Sequence, residues 1–427
     1  MSISASTRKI LISQLQPGMF IHELDIPWLQ SPFLRHRRKI NSQKDILLLK
    51  KAGVKELVID LQRGDDVSSG DTSEQVQETD KNIPAVDKSD EDKSATVQSG
   101  QGEKKPVSET KARLNEELKV ARVLQGKISK MVNELGNLVK EGKPIVVQTI
   151  NPLIDEARDS LVRNDQALLT MLHLHRQDIK LSDHGFGVFA VVLPLAMRLG
   201  RSDQDISDLG LAALLHDTGW ARLPIHLLGK NKAYTEMELK LIHQHPGIVE
   251  KVLQQSEDVP ENVIKLVTQH HEFSDGSGYP KHLKDSEIFE LVEILQVADF
   301  YDEYIHGLTD KPGMLPVNAL KLLYQSARKG QFREDIVSEL IHVMGIYPLT
   351  SAVRLSSGEK ALVIEIDKQK PLLPQVKIIY EADGKRCIDE RIVDLSHCEQ
   401  DDLRVTGVIE PLDNKEDPMG LLRVSHA

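Results

Sequence analysis

The spacing of apolar and polar residues changes several times along this 427-residue chain. Residues 1–62 alternate short apolar runs with turn residues, and the pattern predicts a helix over residues 43–52 followed by a strand over residues 54–60. We therefore expect a small α+β domain there. Residues 63–106 contain scarcely any large apolar side chain. They would bury too little surface to offset their ordering entropy, so a disordered acidic linker is predicted.

Residues 107–143 have the pattern of one long amphipathic helix. Apolar side chains recur there at alternating steps of three and four. The stripe consists of Leu114, Leu118, Ala121, Leu124, Ile128, Met131, Leu135 and Leu138. Such a stripe usually packs against its own domain, and the alternative is a homodimer formed as a coiled coil through this helix.

From residue 144 to residue 350 nearly every segment has the pattern of a helix, and the breaks fall at glycines and prolines. After residue 350 two apolar runs, residues 361–366 and 376–380, predict strands in a β-containing extension over residues 351–427. The predicted fold class is mainly α. A helical bundle core would be preceded by a small α+β domain and followed by a short β extension.

Composition and charge limit the classes of function. An apolar fraction of 40% with 4% aromatic residues is typical of mostly helical globular packing, and the net charge of −11 argues against DNA or an anionic membrane as a partner. We find neither a signal-peptide core nor a run of about 20 apolar residues, so we expect a cytoplasmic protein. Cys387 and Cys398 lie far from the histidine-rich region and are expected to be reduced bystanders.

Candidate chemistry centres on two histidine–acid runs. His270 and His271 are followed by Glu272 and a turn rich in glycine, and adjacent imidazoles can supply two metal ligands from one backbone position. His216 and Asp217 form a second doublet upstream. Other candidates, His184, His245 and Asp299, recur about one helix–loop–helix unit apart, which would return each of them to the same end of a bundle.

Some of these residues also have an ordinary interpretation when taken alone. His184 could be a hydrogen-bonded histidine of the core, and Asp299, with Asp302 one turn later, could belong to a polar surface.

The run from His270 to Pro280 reads HHE-x-x-DG-x-GYP, and together with His216-Asp217 it resembles the HD-GYP family of metal-dependent phosphodiesterases, which hydrolyse cyclic di-GMP. Residues 15–19 and 25–33 are similar to a domain of unknown function that precedes the catalytic domain in some members. The resemblance extends to the spacing of Thr235 from His245-Pro246 and of His184 from Gly200. It implies seven metal ligands: His184, His216, Asp217, His245, His270, His271 and Asp299.

The implied ligands are nitrogen and oxygen donors without a thiolate, which suits two divalent ions, iron or manganese rather than structural zinc. Asp217 is the candidate to bridge them, and His216 and Asp217 are the expected catalytic pair. Glu272 and Asp275 are expected to accept hydrogen bonds from imidazole N–H groups. The turn containing Gly278, Tyr279 and Pro280 is expected to shape the substrate entrance.

Two departures from the family pattern affect the predicted activity. Trp220 stands where the family's His-Asp-x-Gly-Lys motif has lysine, and it could stack on a guanine base or pack in the core. The family's Arg-Pro-Tyr-Arg segment is reduced to residues 310–313, where Lys311 could substitute in part.

The resemblance implies opening of cyclic di-GMP to linear pGpG, with GMP as a further product left open. The alternative is a weak or inactive module that binds cyclic di-GMP or a signalling protein. A different HD-type nucleotide phosphohydrolase is a third hypothesis, against which Gly278-Tyr279-Pro280 argues.

Overall fold

The structure is a computed structural model. It describes residues 7–24, 38–51, 53–65, 107–174, 180–228, 230, 232–307, 312–367, 370–397, 403–409 and 421–422. These residues divide into two compact units, one before Val107 and one from Val107 onward. Within the described residues, no helix has the length and apolar character needed to cross a membrane. Most of the predicted linker, the segment 25–33, Lys311 and Cys398 lie outside the described residues.

The first unit is a four-stranded antiparallel sheet with one helix. Its elements are β1 (Thr7–Leu11), β2 (Phe20–Leu24), β3 (Arg38–Lys39), α1 (Gln43–Lys51) and β4 (Glu56–Asp60). The strand order is β1-β4-β2-β3. Ile46 and Leu49 of α1 belong to the same buried cluster as Ile21 and Ile59 of the sheet. The predicted helix and strand are both confirmed, each within a few residues of its expected bounds.

The second unit is mainly helical, as predicted. Its helices are α2 (Val107–Glu141), α3 (Asn151–Arg163), α4 (Ala167–Leu174), α5 (Leu181–Arg198), α6 (Asp203–Leu215), α7 (Glu236–Ile242), α8 (His245–Leu253), α9 (Glu261–Gln269), α10 (Val292–His306), α11 (Pro316–Arg328) and α12 (Glu334–Met344). Short 3-10 turns lie at Val147–Thr149, Thr218–Arg222, Ile225–Leu227 and Asp285–Glu287.

Local signals set the ends of the helices that approach the candidate site. Ser202 caps α6 by accepting a hydrogen bond from the main-chain N–H of Asp205 at 3.1 Å. Thr235 caps α7 in the same way, and in both cases the acidic residue at the third position bonds back to the cap. Helix α10 ends at Gly307, whose φ of 72° is the left-handed conformation that glycine adopts without strain.

The apolar stripe of α2 is buried within its own unit. Leu118, Leu124, Ile128 and Leu135 are almost fully enclosed, and the helix packs against α3, α4, α5 and the 3-10 turn Thr218–Arg222. Packing within the domain is thus confirmed. A coiled-coil dimer through residues 107–143 would need the same face, which already lies against these neighbours.

The C-terminal part of the second unit is a five-stranded antiparallel sheet. It consists of β5 (Ala352–Leu355), β6 (Lys360–Glu365), β7 (Gln375–Tyr380), β8 (Arg386–Asp394) and β9 (Val405–Val408), in the order β8-β7-β6-β5-β9. Val353, Val363 and Ile378 form its core, and Leu114 of α2 packs against that core. The two strands predicted from apolar runs correspond to β6 and β7.

Candidate metal centre

The seven predicted ligands lie in or directly after five helices and meet in one place. His184 lies in the first turn of α5, and His216-Asp217 directly follows α6. His245 is the first residue of α8, and His270-His271 directly follows α9. Asp299 lies in the middle of α10. Helix ends and first turns therefore supply most of the cluster.

One group of donors surrounds Oδ2 of Asp217. Nε2 of His184 lies 3.4 Å from that oxygen, and Nε2 of His216 lies 3.9 Å from it. Oδ1 of Asp299 lies 3.1 Å from Nε2 of His184 and 3.6 Å from Nε2 of His216. These side chains are buried. One donor atom each from His184, His216 and Asp217 lies within 4.8 Å of the others, close enough to hold one cation, and Asp299 adjoins this group through the two histidines.

A second group surrounds the other oxygen of the same carboxylate. Nε2 of His245 lies 3.1 Å from Oδ1 of Asp217, and Nε2 of His270 lies 3.6 Å from it. His271 completes this group, in which one donor atom from each residue lies within 4.8 Å of the others. Asp217 thus belongs to both groups, with one oxygen facing each.

Main-chain carbonyls orient three of the imidazoles. In each case Nδ1 donates to the carbonyl three residues earlier, at the C-terminal end of the preceding helix, where carbonyls lack helical partners. The acceptors are Ala213 for His216 at 2.9 Å, Ile242 for His245 at 2.7 Å and Val267 for His270 at 2.7 Å. With Nδ1 protonated, the Nε2 of each neutral ring presents its lone pair to the cluster.

This arrangement brings lone pairs together in a way that calls for a cation. Nε2 of His216 lies 3.3 Å from Nε2 of His184, and Nε2 of His245 lies 3.2 Å from Nε2 of His270. Oδ1 of Asp217 is buried and accepts no hydrogen bond within the described protein. With their protons on Nδ1, His245 and His270 face each other as acceptors without a donor between them and repel, so the residues present fit divalent cations with nitrogen and oxygen ligands.

Charge within the cluster follows from burial and neighbours. Burial alone would lower the pKa of His184, but its hydrogen bonds to Asp217, Asp299 and Asp302 raise that pKa well above its usual value. The pKa of His271 is lowered well below its usual value by burial and by the neighbouring imidazoles. His271 is therefore neutral, whereas the nearby carboxylates favour the protonated form of His184.

Asp302 belongs to the site although its sequence suggested polar surface. Its Oδ2 accepts a hydrogen bond from Nδ1 of His184 at 2.7 Å, and its Oδ1 lies 2.9 Å from Nδ1 of His306. The carboxylate is fully buried. It fits beside Gly187, where any Cβ would overlap it. One indication in the sequence that Asp302 faces the site is its position three residues after Asp299, which places both acids on one side of α10.

The expected role of Glu272 and Asp275 as acceptors for imidazole N–H groups is wrong. The two oxygens of Glu272 accept from the main-chain N–H groups of Lys281 at 2.5 Å and Leu283 at 2.9 Å. Asp275 is exposed and accepts from the main-chain N–H of Ser277 at 2.8 Å. Both carboxylates stabilise the loop after α9, and helix-end carbonyls and Asp302 accept from the other ring nitrogens of His184, His216, His245 and His270 instead.

The Gly-Tyr-Pro turn packs onto the second donor group. A Cβ at Gly278 would overlap the main chain of His271 and Phe273, so only glycine allows this approach. The N–H of Tyr279 donates to the carbonyl of His271 at 3.0 Å. The Tyr279 ring stacks on His271, with centroids 4.6 Å apart, and on His243 at 3.7 Å. The His243 ring forms the outer layer of this stack.

Trp220 packs in the core. Its side chain is 7% exposed, its ring stacks on His245 with centroids 5.7 Å apart, and it forms a buried cluster with Leu227 and Ile242. The packing interpretation is confirmed, and the stacking of Trp220 on a guanine base is wrong because neighbouring side chains cover the ring. Gly219 permits this turn, since a Cβ there would overlap the main chain of His245.

Three family models match the chain. Residues 7–150 match the domain of unknown function DUF3391. Residues 148–335 match the HD domain, and residues 352–401 match the KOW domain associated with HD domain. The HD match contains the whole donor cluster.

The cyclic di-GMP phosphodiesterase PA4108 of Pseudomonas aeruginosa is 30% identical over 402 residues, covering 94% of this chain and 91% of that protein. This chain belongs to the HD-GYP family. Another protein similar to this HD-GYP member is cyclic di-GMP phosphodiesterase PdeB of Borreliella burgdorferi, at 26% identity over 46% of this chain and 51% of that one. The solved structure of Bd1817, an HDG"Y"P protein from Bdellovibrio bacteriovorus, matches with 19% identity and a TM-score of 0.45, covering 78% of this chain and 98% of that one.

Proposed function

We propose that this HD-GYP protein hydrolyses cyclic di-GMP to linear pGpG in bacterial second-messenger signalling. One relative that aligns with 94% of the chain and another that aligns with 46% of it are both named cyclic di-GMP phosphodiesterases. The observation that carries the proposal is the sharing of Asp217, whose two oxygens face two separate groups of buried donors.

The two groups would hold two divalent ions, iron or manganese. His184, His216 and Asp299 would ligate one ion together with Oδ2 of Asp217. The second would be held by His245, His270 and His271 together with Oδ1. Neutral imidazoles and carboxylates suit these metals, and a bridging carboxylate is a common feature of hydrolytic sites with two ions.

A phosphodiester resists attack because its non-bridging oxygens carry negative charge. Two bound divalent ions neutralise that charge and make water a better nucleophile at neutral pH. The residues of the chain keep the donors in place before substrate arrives. Helix-end carbonyls orient His216, His245 and His270, and Glu272 stabilises the loop that places Tyr279 against His271. We propose that the face of this turn lines the substrate entrance.

Turnover by a metal-loaded protein tests the proposal. Protein loaded with Mn²⁺ or Fe²⁺ without oxygen is expected to consume cyclic di-GMP, and chromatography of the products separates pGpG from GMP. The Asp217→Asn variant keeps the side-chain size but removes the charge that both groups share, and we expect its turnover to fall by more than about 100-fold.

Asp208→Asn is the matched control. Asp208 is likewise a buried aspartate, within α6, but it accepts hydrogen bonds from Gln204 and Asn262, away from the donor groups. Its variant is expected to lose stability and to keep metal-dependent turnover. The proposal is contradicted if Asp217→Asn is as active as Asp208→Asn, or if the loaded wild-type protein shows no turnover.

Trp220 favours a second candidate function, a module that binds cyclic di-GMP without useful turnover. The family's lysine at this position would add a cation near the phosphate, whereas Trp220 is enclosed against His245. Losing one such charge can cost a few kcal/mol of transition-state stabilisation, or roughly several hundredfold in rate. Saturable binding of cyclic di-GMP by the metal-loaded protein, with no product after long incubation, would favour this function over hydrolysis.

A further inference from the structure

Helix α2 lies against the backbone next to two of the candidate ligands. On α5, the neighbour of His184 is Gly185, and a Cβ built there would lie 2.9 Å from Cγ2 and 3.1 Å from Cγ1 of Val132. Val132 is itself buried. The missing side chain at Gly185 thus allows α2 to approach the first turn of α5 more closely than an alanine would permit.

The same helix reaches the turn that follows Asp217. A Cβ built on Gly136 of α2 would meet the Cβ of Ala221 at 3.7 Å, an ordinary van der Waals contact. Ala221 belongs to the 3-10 turn Thr218–Arg222, which starts directly after Asp217. Both contacts come from one side of α2, separated by about one turn of helix.

The family comparisons assign this helix to a different part of the chain. Residues 7–150, including all of α2, match the domain of unknown function, whereas the match to the HD domain starts at residue 148. In the structure, α2 belongs to the same compact unit as the HD bundle. It supplies the surface on which two of the ligand-bearing segments rest.

We propose that α2 positions the metal ligands, with Val132 acting through Gly185 on His184 and Gly136 acting through Ala221 on Asp217. This role rests on the proposed function, because it concerns the same donor groups. Close-packed interiors transmit displacement rather than absorb it, so a shift of the α2 surface would move donor atoms away from their common centres. Val132 and Gly136 are positioning residues that do not themselves touch the reacting atoms.

The test at α5 is a pair of substitutions that compensate. Gly185→Ala introduces a methyl group against Val132 and is expected to weaken Mn²⁺ binding about 10- to 100-fold, the range typical of residues that orient ligands. Val132→Ala removes the two methyl groups that meet it, so the double variant should recover to within about threefold of the wild-type affinity. Val132→Ala alone should weaken binding by a few fold, since α5 loses its support.

The test at the turn compares one substitution at two places on the same helix. Gly136→Leu would push against Ala221 and is expected to weaken Mn²⁺ binding by about tenfold or more. Gly126→Leu is the matched control, because a Cβ at Gly126 meets nothing within 4 Å. That variant should bind Mn²⁺ as the wild type does.

Mn²⁺ affinity and the unfolding temperature of the metal-free protein are measured for every variant. A role in folding alone would lower the unfolding temperature and leave the affinity unchanged, which would overturn the positioning role. A double variant no better than Gly185→Ala, or equal effects at Gly126 and Gly136, would overturn it as well. Wild-type protein that binds no Mn²⁺ would instead overturn the proposed function, and the positioning role with it.

Discussion

Asp302 accepts a hydrogen bond from Nδ1 of His184 at 2.7 Å and holds its other oxygen 2.9 Å from Nδ1 of His306. His216, His245 and His270 donate from Nδ1 to main-chain carbonyls, whereas His184 donates to a charged carboxylate. A carboxylate in this place fixes the orientation of the ring and makes Nε2 a stronger electron-pair donor. Asp302 therefore supports a ligand of the proposed centre without belonging to either donor group.

Removing this support should weaken metal binding. We expect Asp302→Ala to lower Mn²⁺ affinity about 10- to 100-fold, because His184 loses the acceptor that fixes its Nδ1 proton. Asp302→Asn keeps an acceptor oxygen but loses the charge, so its loss should be smaller. Isothermal titration with Mn²⁺ measures both. Equal affinity for the wild type and Asp302→Ala would contradict the role assigned to this residue.

Gly187→Ala should reproduce part of that defect from a different helix. The new methyl group would overlap the Asp302 carboxylate and force it to move. We expect a loss of about 1–3 kcal/mol in unfolding free energy, as for other overpacked cores, together with weaker Mn²⁺ binding. Gly247→Ala is the control, since a Cβ there meets nothing within 4 Å. Urea unfolding and Mn²⁺ titration of both variants measure the two effects. Equal unfolding free energies and equal Mn²⁺ affinities for Gly187→Ala and Gly247→Ala would contradict the prediction.

Most of the fold was accessible from the hydrophobic pattern. Long apolar stripes predicted the helices, including α2 almost to its ends, because a helix that buries one face must repeat every three or four residues. The pattern predicted β6 and β7 but missed β5, β8 and β9. Two of these strands have four residues each, and Cys387 is the one buried residue of β8, so none of the three presents a long apolar run.

The gathering of the seven donors was predictable, but their supporting contacts were not. Main-chain carbonyls orient three of the rings, and a carbonyl has no signature in the sequence. The inward position of Asp302 depends on the space at Gly187, on another helix. The burial of Trp220 depends on Leu227 and Ile242, which surround it only in the folded chain.

Trp220→Lys should not restore a fast enzyme. The ring is enclosed against His245, so its replacement leaves a cavity and places an ammonium group among apolar side chains. We expect a loss of about 3–5 kcal/mol in unfolding free energy and no gain in turnover. Trp220→Phe keeps a ring in contact with His245 and should lose less. A stable lysine variant with faster hydrolysis of cyclic di-GMP would contradict the packing role.

The ion pair between Glu117 of α2 and Arg163 of α3 predicts a dependence of stability on pH. Arg163 donates to both oxygens of Glu117, at 2.8 and 2.9 Å, and these bonds outweigh burial, so the pKa of Glu117 lies below its ordinary value of 4.5. A lowered carboxyl pKa contributes stability that is fully present above 4.5 and is lost as pH falls through the folded value.

Glu117→Gln should therefore lower the unfolding free energy near pH 7 by about 1 kcal/mol, a modest amount because Arg163 is half exposed and solvent screens the pair. The difference between the variant and the wild type should shrink as pH falls below 4.5. Urea unfolding at several pH values measures it. A difference that stays constant across this range would show that the charge of Glu117 is not its cause.

We propose that one carboxylate, that of Asp217, joins two metal sites. Anomalous diffraction from crystals of the protein loaded with Mn²⁺ or Fe²⁺ would locate both ions. We predict two anomalous peaks about 3.5–4 Å apart, one beside each oxygen of Asp217. A single peak, or peaks that do not contact both Asp217 oxygens, would contradict the claim.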